Sequence, residues 1–398
     1  MSDAAWLTII GLSEDGPDGL TPASQAALDV AGIVMGPPRH LELLPEIAAR
    51  KVEWPVPFLD GLEVLQSFRG QKVVVLASGN PFWFGAGSVI ARNFEADEWI
   101  AIPGPSIFSL VAARLGWAIE KTNCHGLHAA PLARLRPHLS PQTKLIVLLR
   151  DGQSVPEFTD YLCEIGFGES MVHVFEAVAG PNERQTVATA ESLPNRDFQH
   201  PVCAAVSVLG NGRVMPKTSG IADDWFQSDG QITKQPVRAM TLSALAPKPR
   251  ETLWDIGGGS GSIGIEWLLS EPTTQAVCIE QNAERAERIK SNAANLGVDR
   301  LHIIKGSAPD ALANLPKPDA IFIGGGISEP MLSWIVNQAS GARLVANGVT
   351  LEAEALLSLW HAKLGGSLVR IEISNAKPLG SKRGWQANYP IVQWSVQL

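Results

Sequence analysis

One glycine-rich stretch, residues 253–264 (LWDIGGGSGSIG), limits what this chain can fold into more than any other part of it. An apolar run leads to Asp255, several glycines follow, and an apolar segment with helical spacing comes next. The pattern predicts a buried parallel strand, a tight turn and the first turn of a helix. Glycine suits such a turn because the backbone reaches positive φ and a ligand can approach without Cβ atoms in the way. Since a helix start also offers unpaired N–H groups, the stretch predicts a site for a nucleotide-like cofactor.

Two kinds of cofactor fit this pattern. Gly259, Gly261 and Gly264 satisfy the fingerprint G-x-G-x-x-G, and Glu280 follows about 20 residues later at the end of the next apolar run. Nicotinamide enzymes and S-adenosylmethionine (SAM) enzymes share this geometry, because an acid at the second strand end suits ribose hydroxyls in both. Asp255 favours SAM, since an acid just before the first glycine can meet the methionine amine, directly or through water, but would repel a pyrophosphate.

The composition describes an ordered protein that is long enough for two domains or three. The chain has 398 residues, of which 45% are hydrophobic and 18% charged, proportions typical of folded domains. The net charge of −8 is uneven, since residues 1–212 carry 14 cationic and 23 anionic side chains, whereas residues 213–398 carry 18 and 17. An acidic chain without runs of Lys or Arg is a poor candidate for binding nucleic acid.

The cysteines, the histidines and the hydropathy predict a cytoplasmic protein with no metal and no membrane contact. No apolar run approaches the roughly 18 residues of a membrane span, and the N-terminus lacks the features of a signal peptide. The cysteines at 124, 163, 203 and 278 form no C-x-x-C pair, so neither a disulfide framework nor a zinc site is indicated. His125 and His128 lack further ligands at metal spacing, so we expect structural or substrate-facing roles for them.

The N-terminal half alternates strands with helices, which predicts an α/β domain. Apolar strands are expected at 6–11, 33–35, 72–77, 99–102, 144–149, 171–175 and 202–208. Ligands of such domains bind at the carboxyl ends of strands. Three of these ends carry glycine with proline or serine, at Gly11, 78–81 and 103–106, and together they predict a cofactor cleft.

The C-terminal half predicts a second α/β domain with an antiparallel ending. Residues 213–230 lack periodicity and read as a linker, so we place the domains at 1–212 and 231–398. Thr233 is the expected N-cap of a helix that runs to about Leu245. Two long β-rich runs, 367–374 and 390–396, close the chain with only a polar loop between them. A terminal strand pair without a crossover helix is typical of class I SAM methyltransferases.

Several motifs of the first half occur in a recognisable order. They are GLSEDG at 11–16, RHL at 39–41, ASGNP at 77–81, PGPS at 103–106 and GPNER at 180–184. With them, residues 5–210 resemble the tetrapyrrole methylase family, within it the precorrin-6Y methylase subgroup, although Asn80 stands where the family commonly has Asp and Ser13 where it commonly has Gly. The resemblance implies a fold of two α/β subdomains. The SAM contacts expected in this half are Gly11, Ser78, Gly79, Asn80, Pro81 and Ser106.

The second half carries a motif series of its own. TK at 233–234, DIGGGSGS at 255–262, EQN at 280–282, GSAP at 306–309, FIGG at 322–325 and KPLG at 377–380 resemble the precorrin decarboxylating methyltransferase family over residues 231–396. The resemblance implies a Rossmann-like class I fold, in which Ala308 packs near the adenine. The expected SAM contacts are Thr233, Asp255, Gly257, Gly258, Gly259, Ser260, Gly261, Glu280, Ser307 and Ala308.

A chain that joins two such halves resembles the bifunctional methyltransferases of cobalamin (vitamin B12) biosynthesis. The resemblance implies that the first domain methylates carbon 5 of precorrin-6B, and that the second methylates carbon 15 and removes the ring C acetate carboxyl to give precorrin-8. Each domain would use one SAM, and we expect a homo-oligomer, a tetramer through the C-terminal domain. Since the substrate is a polycarboxylate, the expected cationic contacts are Lys234, Arg238, Lys377, Lys382 and Arg383; no catalytic residue is assigned.

Other functions share parts of these patterns. A methyltransferase of another small molecule or of nucleic acid would have the same glycine stretch, but the fourth strand of the second half ends in Ile-Gly-Gly-Gly instead of an acid-Pro-Pro-aromatic signature. A dehydrogenase would need a nicotinamide pocket. A module that only binds SAM or a tetrapyrrole would leave the mass of the precorrin unchanged.

Overall fold

The computed structural model describes residues 5–398, and these form two compact units. Unit 1 holds the chain up to Ala130 together with Leu139–Arg213, and unit 2 holds Pro131–His138 together with Val214–Leu398. Each unit has sheets and buried apolar clusters of its own.

From residue 5 onward, unit 1 contains ten strands and six α-helices. The strands are β1 (Leu7–Leu12), β2 (Ile33–Gly36), β3 (Arg50–Glu53), β4 (Val73–Ser78), β5 (Trp99–Ile102), β6 (Thr122–Gly126), β7 (Lys144–Leu148), β8 (Met171–Glu176), β9 (Arg184–Thr189) and β10 (Val202–Ser207). The helices are α1 (Pro22–Asp29), α2 (Pro38–Leu43), α3 (Asp60–Gln66), α4 (Gly87–Asn93), α5 (Ile107–Leu115) and α6 (Ser154–Glu164).

The strands of unit 1 form two five-stranded sheets, one for each predicted subdomain. The first has the order β3-β2-β4-β1-β5 and is parallel throughout. The second has the order β6-β7-β10-β8-β9 and is antiparallel except for its first pair. In the first sheet Gly11 lies beside Ala77 and Leu12 beside Ser78, so the carboxyl ends of β1 and β4 meet at one edge.

Unit 2 contains nine strands and five α-helices. The strands are β11 (Thr252–Ile256), β12 (Gln275–Glu280), β13 (His302–Lys305), β14 (Ala320–Ile323), β15 (Arg343–Gly348), β16 (Ser367–Ile371), β17 (Ser374–Leu379), β18 (Lys382–Ala387) and β19 (Ile391–Gln397). The helices are α7 (Gln235–Leu245), α8 (Ser262–Ser270), α9 (Ala283–Asn295), α10 (Glu329–Gln338) and α11 (Leu351–Leu364).

Unit 2 is built on a seven-stranded sheet with the order β13-β12-β11-β14-β15-β19-β16. The first five strands are parallel, and β19 and β16 join them antiparallel. This confirms the predicted α/β class and its terminal antiparallel pair. The central parallel strands β11 and β14 are buried along almost their whole length and are mostly apolar, which is why their sequence signal is strong.

Helix ends follow the local rules where a capping side chain is present. The side chains of Thr21, Ser106 and Asn282 accept backbone N–H bonds at the starts of α1, α5 and α9. The cap of α7 differs from the expectation, because Lys234 occupies that position instead of Thr233 and makes no side-chain capping bond. The predicted polar loop before the last strand is in fact a hairpin, β17 and β18, which pair only with each other as a two-stranded sheet.

The segment Pro131–His138 packs within unit 2 although in sequence it interrupts unit 1. Arg134 donates two hydrogen bonds to the carboxylate of Asp299, at 2.7 and 3.1 Å. Lys217 Nζ donates to the carbonyl of Pro137 at 2.6 Å. A Cβ on Gly297 would lie 2.5 Å from the carbonyl oxygen of Ala133, so glycine allows this close approach.

Within residues 5–398, no helix combines the length and the apolar character needed to cross a membrane. The four cysteines are free thiols.

Candidate cofactor and substrate sites

The glycine stretch of unit 2 has the backbone that its sequence predicts. Gly257, Gly259 and Gly261 have φ values of +75°, +60° and +75°, a region that residues with a Cβ rarely adopt. Gly261 donates its N–H to the carbonyl of Gly258 at 2.8 Å and closes the turn. A Cβ on Gly258 would lie 2.1 Å from Cys278 Sγ, so the turn sits directly on β12.

Asp255 lies beneath this turn with only 1% of its surface exposed. Its Oδ2 accepts the backbone N–H of Gly264 at 2.9 Å, which ties the end of β11 to the first turn of α8. Burial, reinforced by the charge of Glu280, raises the pKa of Asp255 to about 7. The geometry gives Asp255 a role in holding the turn, and its contact with a methionine amine stays a prediction.

Glu280 ends β12 beside the same turn. Its Oε2 accepts the N–H of Gly259 and its Oε1 accepts the N–H of Asn282, each at 2.9 Å. A carboxylate has about four acceptor sites, so capacity remains for ribose hydroxyls. Gly306 donates to the carbonyl of Glu280 at 3.1 Å, and this bond brings the start of the loop with Ser307 and Ala308 next to the acid.

Two further features fit a cofactor at this edge of the sheet. Ser260 Oγ is buried and has no hydrogen-bond partner among the residues that the structure describes. A Cβ on Gly257 would lie 3.0 Å from the backbone N of Gly325, whereas a Cβ on Gly325 itself would meet no atom within 4 Å. Gly325 therefore borders open space beside the turn. Sequence reasoning did not assign it to the site, although the three glycines after β14 were a signal.

Gln231 lies near the turn as well, because a Cβ on Gly259 would lie 3.0 Å from its carbonyl oxygen, and Thr233 follows two residues later in the chain. The predicted contacts Asp255, Glu280 and the glycines thus lie together in unit 2, and a cofactor contact of Thr233 stays a prediction. A glycine turn with an acid at the end of the next strand suits a nucleotide-like ligand.

Arg238 corrects the sequence prediction of a substrate contact. Its side chain is completely buried, and Nε donates to Glu266 Oε1 at 2.5 Å. Nη1 donates to Asp223 at 3.0 Å and also to the carbonyl of Thr233, and Nη2 donates to the carbonyl of Ile221. Because these groups use its donors inside the fold, Arg238 supports the segment that leads to Thr233 instead of meeting substrate.

The other predicted cations are accessible. Lys234 is exposed and lies 3.8 Å from a carboxylate oxygen of Asp223. Lys377, Lys382 and Arg383 are exposed on the hairpin, in which Leu379 pairs with Lys382 and Pro378 with Arg383. Since side chains alternate along a strand, the two lysines share one face and Arg383 lies on the other.

The strand ends predicted in unit 1 also come together. A Cβ on Gly11 would lie 1.7 Å from the carbonyl oxygen of Gly79 and 2.3 Å from the backbone N of Gly104. Gly79 donates to Leu12 and Gly104 donates to Gly79, each at 3.0 Å. The three loops therefore interlock through glycines whose missing Cβ atoms make the contact possible.

A cavity of about 620 Å³ opens beside these loops, within unit 1. Its wall includes Ser78, Gly79, Asn80 and Ser106 from the predicted set. Gly11 and Pro81 are not part of the wall. The carbonyl oxygen of Pro81 accepts the N–H of Gly87 at 2.9 Å, and Pro81 packs against that glycine. Most of the lining is apolar, and its aromatic side chains are Trp54, Phe58, Trp83, Phe84, Phe108 and Phe175.

Two predicted polar residues of this wall contact their own loops. Asn80 Oδ1 accepts the N–H of Phe82 at 3.0 Å. Ser106 Oγ accepts the N–H of Ser109 at 3.1 Å. His128 lines the cavity, as a substrate-facing histidine would. In the part of the chain that the structure describes, no three His, Cys, Asp or Glu side chains are grouped as metal ligands.

A polar cluster at the cavity wall joins the predicted Ser78 to Glu14, Arg39 and His40, which the sequence did not assign to the site although the RHL motif contains two of them. Arg39 forms an ion pair with Glu14, and its Nη2 lies 2.9 Å from His40 Nε2 and 3.4 Å from Ser78 Oγ. Ser78 Oγ lies 3.2 Å from the same histidine nitrogen. Burial and, after it, the charge of Arg39 lower the pKa of His40 to about 4.

The glycine turn, the acid at the end of the next strand and the terminal antiparallel pair define unit 2 as a nucleotide-binding α/β domain of the methyltransferase class. Residues 224–398 match the family described as precorrin methyltransferase domain. Residues 7–194 match the tetrapyrrole (corrin/porphyrin) methylases.

Relatives match either almost the whole chain or less than half of it. A Sinorhizobium protein named precorrin-6Y C(5,15)-methyltransferase [decarboxylating] is 46% identical over 396 residues, which cover 98% of this chain and 96% of the relative. A Salmonella typhimurium cobalt-precorrin-6B C(15)-methyltransferase (decarboxylating) is 31% identical and covers 40% of this chain and 85% of its own length. The chain belongs to the precorrin-6Y C(5,15)-methyltransferase (decarboxylating) family.

A solved structure matches part of the chain. The crystal structure of the C-terminal domain of precorrin-6Y C5,15-methyltransferase from Rhodobacter capsulatus is 49% identical, covers 46% of this chain and 100% of its own, and has a TM-score of 0.45.

Proposed function

We propose that the chain transfers methyl groups from SAM to carbons 5 and 15 of precorrin-6B and removes the ring C acetate carboxyl, giving precorrin-8 in cobalamin biosynthesis. The observation that carries the proposal is 46% identity, over 98% of the chain, to a relative whose name states both methylations and the decarboxylation. The two units support it, because in each of them glycine-bearing strand ends meet at the edge of a parallel sheet.

We assign methylation of carbon 15 and decarboxylation to unit 2, and methylation of carbon 5 to unit 1. The relative that is named for C(15) methylation and decarboxylation covers only 40% of this chain, the extent of one unit instead of two. Unit 1 then supplies the second methylation through its separate cavity.

Each unit would hold one SAM. In unit 2 the residues that would hold it are Glu280 at the ribose, Ala308 at the adenine and the glycine turn at the methionine part. In unit 1 they are the wall residues Ser78, Gly79, Asn80 and Ser106. When bound, SAM supplies a methyl group attached to a positively charged sulfur.

Methyl transfer mainly requires that the reacting carbon and the methyl group of SAM are aligned. The meso carbons of a reduced tetrapyrrole are electron-rich and act as nucleophiles, so holding one in line with the methyl group can supply much of the rate. The apolar, aromatic wall of the unit 1 cavity suits the flat macrocycle and keeps water away from the reacting carbon. In decarboxylation the carboxyl leaves as CO2 and its electron pair passes into the protonated or methylated macrocycle, which acts as the electron sink.

Substrate carboxylates need cationic partners. Lys234 and the hairpin residues Lys377, Lys382 and Arg383 are exposed and remain our candidates in unit 2. We also infer a homo-oligomer, a tetramer through the C-terminal domain, and a cytoplasmic location; the mass of the assembly in solution tests the first of these.

The test uses the full chain with SAM and precorrin-6B, and mass spectrometry of the product. Asp255→Ala removes the acceptor that holds Gly264, and we expect it to abolish one methylation and the loss of CO2 while the other methylation continues. Ser78→Trp places a large ring in the unit 1 cavity, and we expect it to abolish only the carbon 5 methylation. Normal rates of both methylations in Asp255→Ala would contradict the site assignment. Binding of both ligands by the wild type without any change in precorrin mass would indicate a binding module.

A further inference from the structure

We propose that Arg39 binds a carboxylate of the ligand that enters the unit 1 cavity, and that this carboxylate replaces Glu14 as the partner of its guanidinium. The inference rests on the proposed function, since SAM and precorrin-6B both carry carboxylates. It assigns a carboxylate-binding cation to unit 1. All of the substrate cations expected from the sequence lie in the second half of the chain.

The composition of the cavity wall singles out Arg39. Among the described residues that line the cavity, Arg39 and Glu14 are the ones that carry a full charge at neutral pH. The rest of the wall is mostly apolar or aromatic, and a carboxylate that enters such a space loses water and needs a cation in exchange. Arg39 is the cation that the wall offers.

The surroundings of Arg39 hold its guanidinium in place. A guanidinium has only donors, so His40 Nε2, at 2.9 Å from Arg39 Nη2, accepts the hydrogen bond. The low pKa of His40 keeps the ring neutral at pH 7, and its Nε2 therefore remains available as an acceptor. Ser78 Oγ, at 3.4 Å from the same Nη2, adds a contact from the end of β4. These contacts orient the side chain toward a fixed position at the wall.

Glu14 occupies the anion position in this structure. Its carboxylate pairs with Arg39 Nη1, and the two side chains keep 15% and 30% of their surface exposed. Burial lowers the pKa of the Arg39 guanidinium, which means that its charge is costly without an anion nearby. Because Glu14 lies on the loop after β1 and Arg39 at the start of α2, the pair joins a loop to a helix, and Glu14 can leave the guanidinium without unfolding a helix or a strand.

Carboxylate binding by a guanidinium is strong because two parallel N–H bonds can form to the two oxygens. The methionine carboxylate of SAM and the acetate or propionate groups of a precorrin offer the same chemistry. The two sources are distinguished by which ligand loses affinity when Arg39 is changed.

The experiment compares Arg39→Gln, Arg39→Lys and Glu14→Gln in the full-length protein. Carbon 5 methylation is followed by mass spectrometry at varied SAM and varied precorrin-6B, and binding of each ligand is measured by calorimetry. Arg69→Gln is the matched control, since it breaks another Arg–Glu pair of unit 1, with Glu98 at 2.8 Å, away from the cavity.

We expect Arg39→Gln to raise the KM of one ligand about tenfold or more, with Arg39→Lys between it and the wild type. A rise for SAM assigns the contact to the cofactor, and a rise for precorrin-6B assigns it to the substrate. Glu14→Gln should lower the same KM, because the competing carboxylate is gone. A purely structural ion pair would instead make both substitutions equally harmful.

Unchanged KM and Kd values for both ligands in Arg39→Gln would overturn the inference, as would equal losses of kcat in Arg39→Gln and Glu14→Gln without any KM change. Failure of the wild type to methylate precorrin-6B would overturn the proposed function instead. The calorimetric comparison of wild type with Arg39→Gln would still decide whether Arg39 binds a carboxylate ligand.

Discussion

Burial changes what a charged residue can do in this protein. Asp255 and Arg238 both look like ligand contacts in the sequence, yet both are buried beneath the site, where Asp255 holds the glycine turn and Arg238 holds the segment before α7. Arg39, which lies at a cavity wall, remains partly exposed. The position of a charged residue, and not its type, therefore decides whether it is enclosed by the fold or exposed at a wall; the contact of Asp255 with a methionine amine stays a prediction.

The raised pKa of Asp255 predicts a pH-dependent stability of unit 2. The folded carboxyl has a pKa of about 7, and an unfolded Asp about 3.9. The folded state therefore binds the proton more tightly, and its free energy of unfolding should fall as pH rises from about 4 to about 7, by at most about 1.4 kcal/mol per pH unit. Urea unfolding of the wild type between pH 5 and pH 8 measures the slope.

Asp255→Asn is the control for this slope, since its amide oxygen can still accept the N–H of Gly264 but does not titrate. The wild type should lose stability relative to this variant as pH rises, and the difference should level off above about pH 7. Parallel curves for the two proteins would exclude a buried, neutral Asp255.

Arg238→Met should destabilise unit 2 strongly. The substitution leaves Glu266 buried without its cation, and breaking a buried pair by removing one partner costs about 3–5 kcal/mol. Arg370→Met is the control, because its pair with Glu372 is exposed and should change stability by less than about 1 kcal/mol. Urea unfolding compares the two.

Arg238→Met should also weaken SAM binding in unit 2, since the arginine donates to the carbonyl of Thr233. Unchanged stability of Arg238→Met would mean that Glu266 finds another partner.

At the scale of elements, the strands of unit 1 that the sequence did not predict lie at sheet edges, although the edge strand β5 was predicted. The strands β3, β6 and β9 were not expected, and all three are edge strands. An edge strand buries little, so β3 (RKVE) and β9 (RQTVAT) carry polar residues and show no apolar run. The central strands β1, β4 and β10 are almost completely buried and were predicted to within one residue at most ends.

The two faces of the hairpin β17–β18 carry different cations, and we predict that only one face contacts the substrate. Lys377 and Lys382 share one face and Arg383 lies on the other. If the lysine face meets two carboxylates, the double variant Lys377→Gln with Lys382→Gln should raise the KM of precorrin-6B severalfold, about what two exposed ion pairs contribute. Methylation of carbon 15 at varied precorrin-6B measures it.

Arg383→Gln is the matched control and should leave this KM within about twofold, because it removes a cation from the opposite face of the same exposed hairpin. A larger effect of Arg383→Gln than of the double variant would mean that the substrate lies on the other face.

At the scale of the whole molecule, the two units differ in charge and share the chain unevenly. The N-terminal part to residue 212 carries the negative charge, while the remainder is close to neutral. The segment Pro131–His138 leaves unit 1 and packs on the loop that follows α9. A cut near residue 213 therefore separates unit 2 from part of its own packing.

We expect a fragment of residues 214–398 to be less protected than the same residues in the full chain. Without Arg134, Asp299 loses its two hydrogen bonds, and Gly297 loses its contact with Ala133. Amide hydrogen exchange at 296–299 should be faster in the fragment, while exchange in β11 and β14 stays slow in both. A second fragment, 131–398, shows how much protection residues 131–213 restore. Equal exchange at 296–299 in the full chain and in the fragment 214–398 would mean that the segment 131–138 does not protect these residues.

The sequence by itself determined the features that depend on residues close together in the chain. The glycine turn after β11, the caps at Thr21 and Asn282 and the order of buried strands follow from local rules of backbone conformation and apolar spacing. The antiparallel ending was also visible, because two β-rich runs had no helix between them.

Only the tertiary structure decided which distant groups are partners. Arg238 is enclosed by residues from three separate stretches, Glu14 on a loop meets Arg39 on α2, and residues 131–138 pack with unit 2. Local spacing determines which helix, strand or loop carries a charged side chain. Whether that side chain is buried depends on elements from distant parts of the chain that pack against it. For that reason the sequence predicted where the sites lie, and the fold decided which of the predicted charges are enclosed and which stay exposed.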